Sequence, residues 1–188
     1  MFYVVSLNWL PNAICIGRVI LVGPIVVAML KENYTIALIL IGIAGCSDAL
    51  DGMLARNFEW RTRMGEILDP AADKLMVCGV FLTLTYLELI PVVLAILVIS
   101  RDLIIIMGAL TYQYIIEPIK GEPALISKLN TGAQLLFMIF TLTVAAFDWP
   151  SGEWLVVMGA IVVFTSIISG LNYVIGWSRR AWIKTHMN

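Results

Sequence analysis

Five aspartates lie in otherwise apolar surroundings: Asp48, Asp51, Asp69, Asp73 and Asp102. Arg18, Lys74 and Arg101 are charged residues in the same kind of setting. Asp48 and Asp51 are three residues apart and Asp69 and Asp73 are four apart, so on helices each pair shares a face. Grouped carboxylates are hard oxygen ligands suited to divalent cations. Two cations sharing them form a centre for phosphoryl chemistry. Helix capping or ion pairs with Arg56 and Lys74 do not account for the group, because one arginine and one lysine cannot neutralise four aspartates. An aspartate at the centre of a spanning helix costs about 2.5–3.5 kcal/mol, so four together cost on the order of 10 kcal/mol. Intramembrane acids are functional candidates by default.

The membrane setting follows from composition. The chain has 188 residues, of which 61% are hydrophobic and 13% charged, with a formal net charge of −1 and a mean hydropathy of +0.94. Soluble domains carry roughly 45–50% apolar and about 25% charged residues. A soluble enzyme, a disordered tail and a nucleic-acid binder are therefore excluded. The reading is an all-α integral membrane protein, a single domain over 1–188. Residues 1–13 form an amphipathic stretch without the basic region or A-x-A site of a cleaved signal peptide, and read as an interfacial helix. Six apolar segments follow at 14–30, 35–56, 66–87, 90–116, 127–147 and 154–177, with a polar tail at 178–188. Each is close to the ~20 residues that a spanning helix needs. The runs are continuous rather than alternating, which excludes a β-barrel. Cys15, Cys46 and Cys78 show no ligand spacing and read as packing residues.

Placing the polar run 57–65 in the cytoplasm puts Arg56, Arg61, Arg63, Lys120, Lys128, Arg179, Arg180 and Lys184 on that side, against Lys31 on the other. This bias puts both termini inside. Asp51 and Asp48 then lie roughly 8 and 12 Å along their helix from Arg56, and Asp69 and Asp73 roughly 6 and 12 Å along theirs from Gly65. The two pairs meet at one depth, in the cytoplasmic third of the membrane. Gly52 removes a side chain where a ligand can approach the backbone. Arg56 stands at the mouth, where a phosphate would sit. Pro70, near the start of its helix, is tolerated there.

The run SDALDGMLARNFEWRTRMGEILDPAADK, Ser47 to Lys74, contains Asp48-x2-Asp51-Gly52-x2-Ala55-Arg56-x8-Gly65-x3-Asp69-x3-Asp73. It resembles the signature of the CDP-alcohol phosphatidyltransferase family at every defined position. The resemblance implies a six-helix membrane enzyme, commonly a homodimer, that moves a phosphatidyl group from CDP-diacylglycerol to an alcohol and releases CMP. It implies that Asp48, Asp51, Asp69 and Asp73 bind two Mg²⁺ or Mn²⁺ ions, and that Asp73 is also the general base on the acceptor hydroxyl. Asn12, Gly52, Ala55, Arg56 and Thr62 would bind CDP-diacylglycerol. Pro11-Asn12 and Arg18 resemble the family's entry segment, with Cys15 standing where many members carry Ser or Thr.

The acceptor is read from the second half. Arg101 needs a partner, and Asp102 is adjacent in sequence without sharing its helix face. A phosphate on the acceptor would satisfy Arg101, with Lys128 as a second cation; the alternatives are an interhelical pair with an acidic residue for Arg101 and a positive-inside flank for Lys128. LELIPVVLAILVISRDLIIIMGAL and ISKLNTGAQ are similar to the eukaryotic-type cardiolipin synthases. That similarity implies phosphatidylglycerol as acceptor and cardiolipin as product, with glycerol 3-phosphate as the second choice. The expected location is a bacterial inner membrane, with the site on the cytoplasmic side. A cation transporter, the alternative of another class, fits less well. Transport sites sit near the midplane between repeats, whereas these acids cluster towards one face.

Overall fold

The computed structural model describes the backbone of residues 10–57, 63–115 and 125–186 and the side chains of 13–48, 72–108 and 125–176. Among these residues every regular element is an α-helix: α1 Leu10–Leu30, α2 Tyr34–Asn57, α3 Arg63–Tyr86, α4 Val92–Ile115, α5 Leu125–Phe147 and α6 Glu153–His186. A helix satisfies its own backbone polar groups, which an apolar environment demands of each run.

Three stretches are long and apolar enough to cross a bilayer over the described residues: Ala13–Leu30, Leu125–Phe147 and Glu153–Gly176. Over the described residues the apolar stretch of α2 is Tyr34–Asp48. The expected six helices are thus present among the described residues, and three of them pass as spans on length and composition.

Two boundaries differ from expectation. Leu10–Ala13 belong to α1 rather than to a separate interfacial segment. Pro11 is accommodated there because the first turn has no intrahelical partner for its missing N–H. Residues 1–9 lie outside the described residues. At the other end α6 continues to His186, so most of the expected tail is helical. Its 34 residues make a rod about 51 Å long, well beyond the ~30 Å hydrocarbon core.

The turn after α1 is a Schellman motif. The Asn33 N–H donates to Ala28 O at 2.9 Å and the Glu32 N–H to Met29 O at 2.8 Å, with Glu32 at φ 58°. Glu88 after α3 and Asp148 after α5 also adopt left-handed φ, 58° and 51°.

The chain divides into two compact units. In the first, residues 1–87 with 145–147, α1 packs against both α2 and α3. Contacts from α1 to α3 advance along both helices, from Arg18–Asp73 to Val22–Gly79, so the two run in the same direction. α2 runs back between them in sequence after a three-residue turn. A Cβ on Gly79 would lie 3.0 Å from Val22 Cγ1, so the missing side chain is what lets α1 close on α3. Ile25, Met29, Val80, Phe81 and Leu84 are fully or almost fully buried in this unit.

In the second unit, residues 88–144 with 148–188, α4 packs against α6. Gly159 on α6 admits Leu94 of α4 and Phe137 of α5, at 3.3 and 3.5 Å from where its Cβ would be. Among the described residues the buried arginines are Arg18 in α1 and Arg101 in α4, each on the first helix of its unit.

Candidate functional site

Arg18 extends from α1 with its side chain 1% exposed. Nη1 lies 2.5 Å from Asp48 Oδ1 on α2 and 2.5 Å from Asp73 Oδ1 on α3. One terminal guanidinium nitrogen carries two N–H groups, enough to serve both acids. The two carboxylate oxygens are therefore within about 5 Å of each other, a gap of the size that hard cations bridge with oxygen ligands. The carboxylates are far more open than the cation: Asp48 is 49% exposed and Asp73 44%. Burying a guanidinium is tolerable only when it is paired in this way.

Asp51 follows Asp48 by one turn on α2, and Asp69 precedes Asp73 by one turn on α3. α2 and α3 run in opposite directions, so both positions are displaced from the Arg18 pair towards the 58–62 connection. Their side chains, like those of Gly52, Ala55 and Arg56 on α2 and Asn12 on α1, lie outside the described residues, as does the whole of Thr62. Among the described residues no three potential metal ligands form a group.

The second polar centre is built on Arg101. Nη1 donates to Asp102 Oδ1 at 2.6 Å, and Nη2 donates to Ser127 Oγ on α5 at 2.7 Å and to Ser169 Oγ on α6. This corrects the expectation that Asp102 could not partner Arg101. Adjacent residues do diverge on a helix, but the long arginine stem lets the guanidinium reach the short neighbouring carboxylate. Nε of Arg101 is buried without a hydrogen-bond partner. Lys128, one residue after Ser127, is exposed.

One turn into α5, Asn130 is fully buried. Its Oδ1 accepts from Thr165 Oγ1 at 2.8 Å and Ser166 Oγ at 2.9 Å. Gln134, a further turn along and equally buried, has neither amide atom hydrogen-bonded. The sequence carries a weak mark of this set: Ser166 and Ser169 are three apart and Asn130 and Gln134 four apart, each on one helical stripe.

Residues 8–169 match the family model described as CDP-alcohol phosphatidyltransferase. The chain belongs to the CDP-alcohol phosphatidyltransferase family. Among curated proteins it is 31% identical over 180 residues to a cardiolipin synthase (CMP-forming) of Homo sapiens, covering 87% of this chain and 60% of that protein. It is 34% identical over 123 residues to a CDP-diacylglycerol–glycerol-3-phosphate 3-phosphatidyltransferase of Aquifex aeolicus, covering 64% of this chain and 68% of that one. A Bacillus subtilis protein of the same description is 28% identical, with 87% and 92% covered. The chain thus spans about 60% of the length of the human relative. Family membership and the apolar helices together make this a membrane protein with a phosphatidyltransferase domain. The Arg18 contacts join the first and last aspartates of the phosphatidyltransferase motif.

Proposed function

We propose that this phosphatidyltransferase transfers a phosphatidyl group from CDP-diacylglycerol to phosphatidylglycerol, giving cardiolipin and CMP. The observation that carries the reading is the convergence of Asp48 and Asp73, from two helices of the motif, on a single positive nitrogen. Carboxylates that close together require positive charge between them. The oxygen-only donor set and its partial exposure fit Mg²⁺ or Mn²⁺, with Asp48, Asp51, Asp69 and Asp73 as the residues that would hold two ions. Bound there, the ions would supply charge neutralisation to the diphosphate.

The chain's own residues do the remaining work. Asn12, Gly52, Ala55, Arg56 and Thr62 bind the CDP-diacylglycerol. The acceptor hydroxyl oxygen bonds to the phosphorus that carries the diacylglycerol. The bond from that phosphorus to the diphosphate bridging oxygen breaks, and CMP leaves with the electron pair. Asp73 takes the hydroxyl proton, late in the transfer, as the new P–O bond forms. Apolar walls strengthen these charge interactions and limit water, the competing acceptor. Arg101 and Lys128 recognise the acceptor's phosphate. Arg101 already holds Asp102, Ser127 and Ser169, so the acceptor's phosphate would take the place of one of these partners. The positive-inside bias supports a site and both termini on the cytoplasmic face. The family resemblance supports a homodimer.

The similarity to the human cardiolipin synthase over most of this chain supports phosphatidylglycerol as acceptor. The Aquifex aeolicus and Bacillus subtilis relatives support glycerol 3-phosphate as the second reading. Purified enzyme given CDP-diacylglycerol and one acceptor at a time separates the two. CMP release with phosphatidylglycerol alone is the expected result, and release only with glycerol 3-phosphate would replace the first reading with the second.

A further inference from the structure

A buried arginine between two carboxylates of a metal-binding motif is a puzzle if its task is only to hold helices together. A hydrogen-bonded polar residue would do that without placing a full positive charge beside incoming cations. Arg18 sits where it matters most. Its ion pairs reach both α2 and α3. It comes from α1, the helix that packs on both of them. Its guanidinium is inside while the carboxylates it holds are half open, so a cation arriving at them would meet Arg18 on their far side.

We propose that Arg18 is a positioning residue that competes with divalent cations for Asp48 and Asp73, and so sets how tightly the carboxylate centre holds metal. The inference rests on the metal reading above. Two opposing effects act on the affinity. Arg18 keeps the two carboxylates within reach of each other, which favours a site. Its charge also repels a divalent ion at the same oxygens and occupies the lone pairs such an ion would take. Repulsion dominates, for two reasons. The guanidinium is nearly fully buried, where screening by water is weak. The helices are also held together independently of it, by the close α1–α3 approach at Gly79 and the apolar side chains above it. Without metal, Arg18 neutralises Asp48 and Asp73, and a chain lacking it leans on metal for that charge.

The test uses the full chain purified in detergent, with Arg18→Gln and Arg18→Lys beside the natural sequence. Mn²⁺ binding is read from the loss of the free-ion electron paramagnetic resonance signal. Thermal unfolding is read in chelator and in saturating Mn²⁺. Arg18→Gln is expected to bind Mn²⁺ at least tenfold more tightly, to melt lower than the natural chain in chelator, and to gain more than it from Mn²⁺. Arg18→Lys, which keeps the charge on a shorter, single-point donor, is expected to bind a few-fold more tightly. It decides the matter if Arg18→Gln does not fold. Variant affinity equal to or weaker than that of the natural chain would overturn the proposal and leave Arg18 a purely structural cross-link. If the natural chain binds no Mn²⁺ at all, the metal reading itself fails, an outcome distinct from the first.

Discussion

Replacing Arg101 with methionine should expose how much the second unit relies on one buried charge. The guanidinium is 4% exposed and holds Asp102, itself 8% exposed, together with Ser127 and Ser169 from two other helices. Removing one partner of a buried pair costs about 3–5 kcal/mol, because the remaining charge stays in a low-dielectric setting. The serine hydroxyls can rotate to other acceptors, so they add little. At 2–4 °C per kcal/mol for a chain of this size, the unfolding midpoint should fall by roughly 6–20 °C. Arg101→Met combined with Asp102→Leu removes both charges and keeps apolar volume. Exchanges of that kind are often neutral or better, so the double variant should recover to within about 2 kcal/mol of the natural chain. Circular dichroism melts of the detergent-purified protein measure both. A single variant that melts within about 2 °C of the natural chain, or a double variant as damaged as the single, would refute the pairing argument. The double variant also isolates the acceptor role, because it restores the fold without restoring the cation. Its KM for phosphatidylglycerol should rise while its KM for CDP-diacylglycerol holds.

Two further outcomes follow from the first unit. Asp73→Asn should abolish CMP release while the protein still binds CDP-diacylglycerol, measured by equilibrium binding of labelled donor; retained turnover would remove Asp73 as the base. Gly79→Val should lower stability by about 1–3 kcal/mol, the usual cost of overpacking. The added Cβ would meet Val22 Cγ1 at 3.0 Å, and a β-branched neighbour has little rotamer freedom with which to yield. An unchanged melt would show that α1 and α3 do not approach as closely as described.

The helices were legible because each apolar run is continuous and each break is polar. The common depth of Asp48 and Asp73 was legible too, from 1.5 Å per residue counted back from a short connection; their shared contact with Arg18 agrees with it. The partner itself was not. Arg18 lies 30 residues from Asp48 and 55 from Asp73 in sequence, and helix-pair register leaves no trace in a single chain. Arg101 shows the opposite failure. A rule about which Cβ atoms share a face, applied to a side chain with a long flexible stem, ruled out the neighbour it in fact binds. Ser127, Asn130, Ser166 and Ser169 were hidden for a simpler reason. Small polar residues are ordinary in membrane helices, and their importance becomes visible only when they surround a buried charge. The continuation of α6 past residue 177 was obscured by its polar composition, which marks where the apolar run stops and not where the helix does.

A divalent-metal centre formed by the motif's aspartates would make phosphatidyl transfer depend on the ion. The most direct measurement is CMP release from CDP-diacylglycerol and phosphatidylglycerol by enzyme stripped with a chelator, before and after Mn²⁺ or Mg²⁺ is restored. No release from the stripped enzyme, and recovery on adding either ion, is the expected result. Undiminished release from enzyme verified to be metal-free would contradict it.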